Sequence, residues 1–164
     1  MAPFSMKEIV SLCILSVFVL IETCHAHLCL ISPAQRGSLA GINKAGNDNC
    51  FQVKGPCGKM PPSKDGVIIR PGQTLSVTFQ KNLDHFLGSS PGNFTVAFGS
   101  VSDGKFQLLT TIPDQGEKSL TLYTAVVKIP LVKGNYAIQV TYNTNNPGAP
   151  PSFYQCADVV VQNL

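Results

Sequence analysis

In the stretch ETCHAHLCLISPAQRGS, Glu22 to Ser38, a histidine stands where secretory cleavage after Ala26 would leave it as the first residue of the mature chain. Beyond that point only His27 and His85 remain, since His25 is removed. A chain-terminal histidine can chelate a metal through its α-amino nitrogen and its Nδ1, closing a six-membered ring. A second imidazole opposite the amine completes three nitrogen ligands. Cu(II) favours tetragonal nitrogen coordination and stands at the top of the divalent affinity order, so copper is the metal this set suits best. The α-amino group titrates near neutrality, and freeing its nitrogen costs little at extracellular pH. Taken singly, each histidine has a plainer reading: a surface imidazole in a loop, and a coincidence beside a cleavage site.

The cleavage itself is written in the first 26 residues. Lys7 precedes the apolar run IVSLCILSVFVLI, Ile9 to Ile21, and the small residue Ala26 closes the pattern of a secretory signal peptide. That run is short for a membrane span and nothing later approaches one, so a secreted, extracellular protein without a membrane anchor is expected. Residues 27–164 then form one domain with a core of its own. Cys13 and Cys24 leave with the leader, and Cys29, Cys50, Cys57 and Cys156 remain for an oxidising compartment, where two disulfides are expected. Sequence alone permits three connectivities. Zinc is the rival use of these thiols, but Cys50 and Cys57 form no C-x-x-C knuckle.

Charge and motifs exclude several functions. The basic excess is small and scattered from Arg36 to Lys133, with no cluster interleaved with aromatics, so nucleic acid is not an expected partner. A serine triad would have to recruit His85, yet no G-x-S-x-G elbow occurs. No spacing singles out a carboxylate pair for glycoside hydrolysis, and no glycine loop precedes a helix to hold phosphate.

The elements that must position the histidines are strands. From Val67 onward, GVIIRPG, QTLSVTFQ, NFTVAFGS, KFQLLTTI, LTLYTAVVKI, NYAIQVTY and CADVVV alternate with turn residues such as Pro71-Gly72, Pro91-Gly92, Asp103-Gly104 and Gly134-Asn135. This spacing predicts an all-β, immunoglobulin/fibronectin III-like antiparallel β-sandwich. In QTLSVTF, Leu75, Val77 and Phe79 should face the core and Thr74, Ser76 and Thr78 should face out. Residues 33–66, rich in Gly, Asn, Pro and Lys, read as a long loop region held by disulfides rather than by a core, and NTNNPGAPPS, Asn143 to Ser152, as a second loop. His85 falls in a loop just past QTLSVTFQ. Asn93-Phe94-Thr95 satisfies the N-glycosylation pattern at the start of a strand.

Three segments carry a family resemblance. HLCLISPAQRGS, PGQTLSVTFQKNLDHFLGSSPGNFTVAF and PPSFYQCADVVV, in that order, resemble the secreted histidine-brace copper proteins: the chitin-active, bacterial-type lytic polysaccharide monooxygenases and the related BIM-type copper-acquisition domains. The resemblance implies a copper site in which His27 supplies the amine and Nδ1 and His85 the remaining equatorial nitrogen. Phe153 matches the aromatic at the axial copper position, with Tyr154 as the alternative occupant. Both also fit core packing in an alternating strand. Arg36 and Asp158 match motif positions and read as structural. Cys156 would tie the last strand to the loop region, with Cys57–Cys156 and Cys29–Cys50 the preferred pairing. Asp84, beside His85, is the candidate for the carboxylate ligand of the BIM type.

The resemblance implies either oxidation of chitin or a similar extracellular polysaccharide at copper, or copper capture without glycan chemistry. A third reading is a structural one, a matrix or biomineral-associated sandwich that binds polysaccharide without turnover. The chain has no Trp, and its long loop offers only Phe51 as an aromatic for stacking on sugar rings. A monomer is expected.

Overall fold

The computed structural model describes residues 27–100 and 102–163; the expected leader, residues 1–26, lies outside the described residues. Eight strands follow in chain order: β1 (His27–Ser32), β2 (Val67–Ile69), β3 (Thr74–Leu83), β4 (Asn93–Ser100), β5 (Lys105–Pro113), β6 (Thr121–Lys128), β7 (Gly134–Asn143) and β8 (Ser152–Val161). They form two sheets, one of order β1-β3-β6 and one of order β2-β8-β7-β4-β5. The only helical element among the described residues is a 3-10 turn, Asp48–Cys50, capped by the Asn47 side chain. The fold is thus an immunoglobulin-like β-sandwich.

Alternation decides which side chains meet between the sheets. On β3, Val77 and Phe79 are fully buried and Leu75 packs against the core, while Thr74 and Ser76 are exposed. Thr78, on the outer face, pairs its hydroxyl with that of Thr124 on β6 at 3.1 Å. The opposing sheet supplies Phe94, Val96 and Phe98 from β4, Ile138, Val140 and Tyr142 from β7, and Phe153, Ala157, Val159 and Val161 from β8. Aromatic rings dominate the contact: Phe94 lies 4.5 Å from Tyr142 and 5.4 Å from Phe79 between ring centroids. Each such ring fully withdrawn from water contributes about 2–3 kcal/mol before conformational entropy is counted.

The loop region, residues 33–66, covers the outer face of β8. Cys29 is joined to Cys50, and Cys57 to Cys156. Buried polar side chains hold the loop as well. The Gln35 amide accepts from Leu30 N–H and donates to the carbonyls of Ser38 and Asn49. Arg36 grips Asp158 through two nitrogens, at 2.9 and 2.5 Å, and also donates to Met60 O. The Asn82 amide donates to the carbonyls of Ile42 and Lys44 and accepts from Asn47 N–H. Disulfides therefore share the work with buried hydrogen bonds that composition does not reveal.

One ladder departs from the antiparallel expectation. β2 pairs with β8 in parallel, Val67 opposite Val159 and Ile69 opposite Val161. The loop descends alongside β8: Gln52 O accepts from Tyr154 N–H, Cys57 bonds to Cys156, Ser63 N–H donates to Asp158, and Val67 reaches Val159. It arrives travelling in the same direction as β8, and three residues of parallel pairing result.

Candidate metal centre

His27 and His85 sit at the same end of the sandwich. His27 opens β1 and lies opposite Leu83 on β3, two residues before His85. β3 runs past QTLSVTFQ through Lys81, Asn82 and Leu83, and this extension carries His85 to the level of His27. Both histidines are buried, His27 at 2% and His85 at 4% relative exposure. They are linked through aromatic rings: His27 lies 5.3 Å from Phe51, Phe51 lies 5.9 Å from Phe153, and Phe153 is nearly parallel to His85 at 6.2 Å and 16°.

Alternation along β8 separates the two aromatic candidates. Phe153 points between the sheets, fully buried, against Phe51, His85 and Tyr142. Tyr154 points to the opposite face, where its ring packs over Gly55 closely enough that a Cβ there would lie 3.3 Å from it. Phe153 is the aromatic that shares the histidines' surroundings.

The carboxylate candidate does not join them. Asp84 Oδ1 takes the Lys81 ammonium at 2.6 Å and the Phe86 N–H at 2.8 Å, which holds the carboxylate within its own segment. Among the described residues no three His, Cys, Asp or Glu side chains converge. Two imidazoles and the α-amine of a chain beginning at His27 are nonetheless three nitrogen donors, a set that fits Cu(II) without a carboxylate. Asn93 is half-buried at the head of β4 and accepts from the Asn143 amide at 2.9 Å.

The His85 backbone is held by the loop before β8. Its carbonyl accepts from the Asn146 amide at 3.1 Å. Asp84 N–H donates to Ser119 Oγ at 2.9 Å. Burial, reinforced by the hydrogen bond to Asp114, raises the Tyr142 phenol above its ordinary value and keeps it neutral. Asn146 thus holds the His85 segment, while Lys81, Asp114 and Tyr142 form a buried polar network of their own, and none of the four stands out in the sequence as a site residue. A signal was present for one: continuing the inward positions Leu75, Val77 and Phe79 by two residues puts Lys81 in the core.

No protein-family description matches this chain, and no curated protein matches it in sequence. Solved structures do. The fold is similar to a chitin-binding domain from Burkholderia pseudomallei, at 12% identity and TM-score 0.54 over 84% of this chain and 100% of that one. It is similar to a lytic polysaccharide monooxygenase important for efficient utilization of chitin in Cellvibrio japonicus, at 16% identity and TM-score 0.52 over 82% and 99% of the two chains. A lytic polysaccharide monooxygenase from Jonesia denitrificans aligns over 83% of this chain and 100% of its own, at 20% identity and TM-score 0.50. At these identities the likeness is one of fold, the sandwich on which those proteins are built.

Proposed function

We propose that this chain is a secreted mononuclear copper protein whose ligands are the α-amine and imidazole of His27 and the imidazole of His85, acting on a chitin-like extracellular polysaccharide. The observation that carries the reading is the meeting of the two remaining histidines at one end of the sandwich, both buried and tied through Phe51 and Phe153. The fold likeness to polysaccharide monooxygenases supports it. Copper would supply the redox centre for oxidising a glycosidic C–H bond. The chain's own residues hold the imidazoles: β1–β3 pairing sets His27, Asn146 holds the carbonyl of His85, and Phe153 excludes water beneath them.

The test is a Cu(II) titration followed by electron paramagnetic resonance on protein starting at His27, beside a version with one extra N-terminal alanine and a His85→Ala version. Tight one-to-one binding with a three-nitrogen type 2 spectrum, lost in both variants, is the expected result. Binding indifferent to both changes sinks the brace. A reductant-driven digest of chitin, read for oxidised oligosaccharides, then tests the reaction.

One observation favours a second reading, copper capture without glycan oxidation. The chain contains no Trp, and Phe51, the aromatic of the long loop, is packed between His27 and Phe153 instead of lying open for a sugar ring. Tight copper binding with no oxidised product across several polymers selects that reading.

A further inference from the structure

The Lys81 side chain is fully withdrawn from water, yet its Nζ lies between two carboxylates, 2.7 Å from Asp114 Oδ1 and 2.6 Å from Asp84 Oδ1. The Asp114 side chain is fully buried as well, whereas Asp84 is part exposed. The rings of Phe86 and Tyr142 each have their centroid 5.9 Å from Nζ, so aromatic surface flanks the amine. A buried ion pair is a poor source of stability, because desolvation of both charges offsets their attraction. Metal binding does not use this one.

Its parts are those of an acyl transfer. An amine is a nucleophile and a carboxyl carbon an electrophile, and here the two groups are held in contact within one chain, where effective concentrations reach about 10⁵–10⁸ M. Both Asp114 oxygens accept a donor besides the ammonium: Oδ2 takes the Tyr142 hydroxyl at 2.6 Å and Oδ1 the Gly116 N–H at 3.1 Å. Donors so placed stabilise the oxyanion that forms when a nucleophile adds to the carboxyl carbon. Gly116 can lie here because it has no side chain: its φ is +85°, and a Cβ would stand 3.0 Å from the Phe86 ring. Asp84 places a base against the same nitrogen. In water, hydration of the two ions favours keeping them apart; in this enclosure the charges are costly and a neutral amide is not, so burial shifts the balance toward the amide. The other largely buried ion pair, Arg36 with Asp158, lacks this chemistry, since a guanidinium is not deprotonated in proteins.

We propose that Lys81 and Asp114 condense into an isopeptide bond, Nζ to Cγ, with Asp84 as the proton carrier. Asp84 takes a proton from the ammonium, and the lone pair freed on Nζ adds to Cγ of Asp114. The proton passes from Asp84 to one Asp114 oxygen, a second follows it from the nitrogen by the same route, and the C–O bond breaks. An ammonium and a carboxylate become a secondary amide and one water, both hydrogens of that water coming from Nζ. Nothing is oxidised or reduced and no co-reactant is needed. The bond joins β3 of one sheet to the residue after β5 of the other across 33 residues, whereas each disulfide ties the loop region to a single strand. The ion pair is the reactant state, and what a variant loses with the pair adds to what it loses with the bond. The proposal is independent of copper.

The test is a mass. Folded protein is denatured, its disulfides are reduced, and its intact mass is read beside those of Lys81→Arg and Asp84→Asn. Wild type is expected to be lighter than its sequence by one water, and fragmentation of a digest should yield a branched peptide joining Lys81 to Asp114. Lys81→Arg keeps a cation facing both carboxylates but cannot condense, and it should have its full mass. Asp84→Asn removes the proton carrier and should react about a hundredfold more slowly in a time course after refolding. Wild type at its full mass overturns the proposal, whatever the variants do or fail to fold into. So does a loss of water that persists in Lys81→Arg or that maps to Asp103-Gly104, because a succinimide at an Asp-Gly step has the same mass. A branched peptide that forms at an unchanged rate in Asp84→Asn overturns the role given to Asp84.

Discussion

Replacing Lys81 with methionine keeps nearly the same length of aliphatic chain and removes one buried charge. In the native protein Lys81 and Asp114 are both withdrawn from water, while Asp84 is 36% exposed at its side chain. The Lys81–Asp84 contact is therefore screened and contributes little. The Lys81–Asp114 contact is the one that matters. In Lys81→Met the Asp114 carboxylate retains only the Tyr142 hydroxyl and the Gly116 N–H, at 2.6 and 3.1 Å, against its full desolvation. Breaking a buried pair in this way costs about 3–5 kcal/mol. For a domain of this size that lowers the melting temperature by about 10–20 °C. Asp114→Leu should cost a similar amount, and the double variant Lys81→Met/Asp114→Leu should be milder than the sum of the singles by about 2 kcal/mol or more, because no uncompensated charge is left. Urea unfolding of the mature chain with both disulfides intact measures all three. A single Lys81→Met cost below about 1 kcal/mol, or singles that simply add, would refute the reasoning.

Phe153→Ala should destabilise the protein by about 3–5 kcal/mol, since the ring is fully buried against Phe51, His85 and Tyr142; a denaturant midpoint close to wild type would contradict that packing. Removing Cys57–Cys156, which spans 99 residues, should cost more than removing Cys29–Cys50, which spans 21, at about 4–5 against about 3 kcal/mol, and paired Cys→Ser variants compared by urea unfolding test the order. Burial, with the hydrogen bond to Glu117, raises the Tyr123 phenol above its ordinary value, so the unfolded chain releases this proton first as pH rises. The stability it contributes is complete below about pH 10 and is lost above it, and Tyr123→Phe should flatten the fall in melting temperature on the alkaline side. For Glu117, burial raises the carboxyl but its hydrogen bonds win, leaving it below its ordinary value. Its contribution is lost as pH falls through the acid range, and Glu117→Gln should be less acid-sensitive than wild type in the same measurement.

The strands from β2 onward were legible because β-branched and aromatic residues alternate between turn signals, and one face of each must be buried. β1 carries no such signal: HLCLIS is too short and too apolar to show a period, and only its pairing with β3 makes it a strand. The end of β3 was hidden for the opposite reason. QKNL is polar and reads as loop, yet Gln80, Lys81 and Asn82 are buried there: a carboxylate and two carbonyls distant in sequence meet Lys81 and Asn82, and Asn82 in turn donates to Gln80.

The same division runs through the site. The cleavage pattern and the scarcity of histidine single out His27 and His85 from sequence, since side-chain chemistry and position along the chain are local facts. Local facts also carry the alternation that places Phe153 and Tyr154 on opposite faces of one strand. Which face meets the histidines was decided by the packing of the two sheets. Tertiary structure also held Asp84 against the Lys81 ammonium at 2.6 Å, and tied the Asn146 amide to the His85 carbonyl across 61 residues. A buried charge requires a partner wherever the fold brings one, and no periodicity in the chain records where that will be.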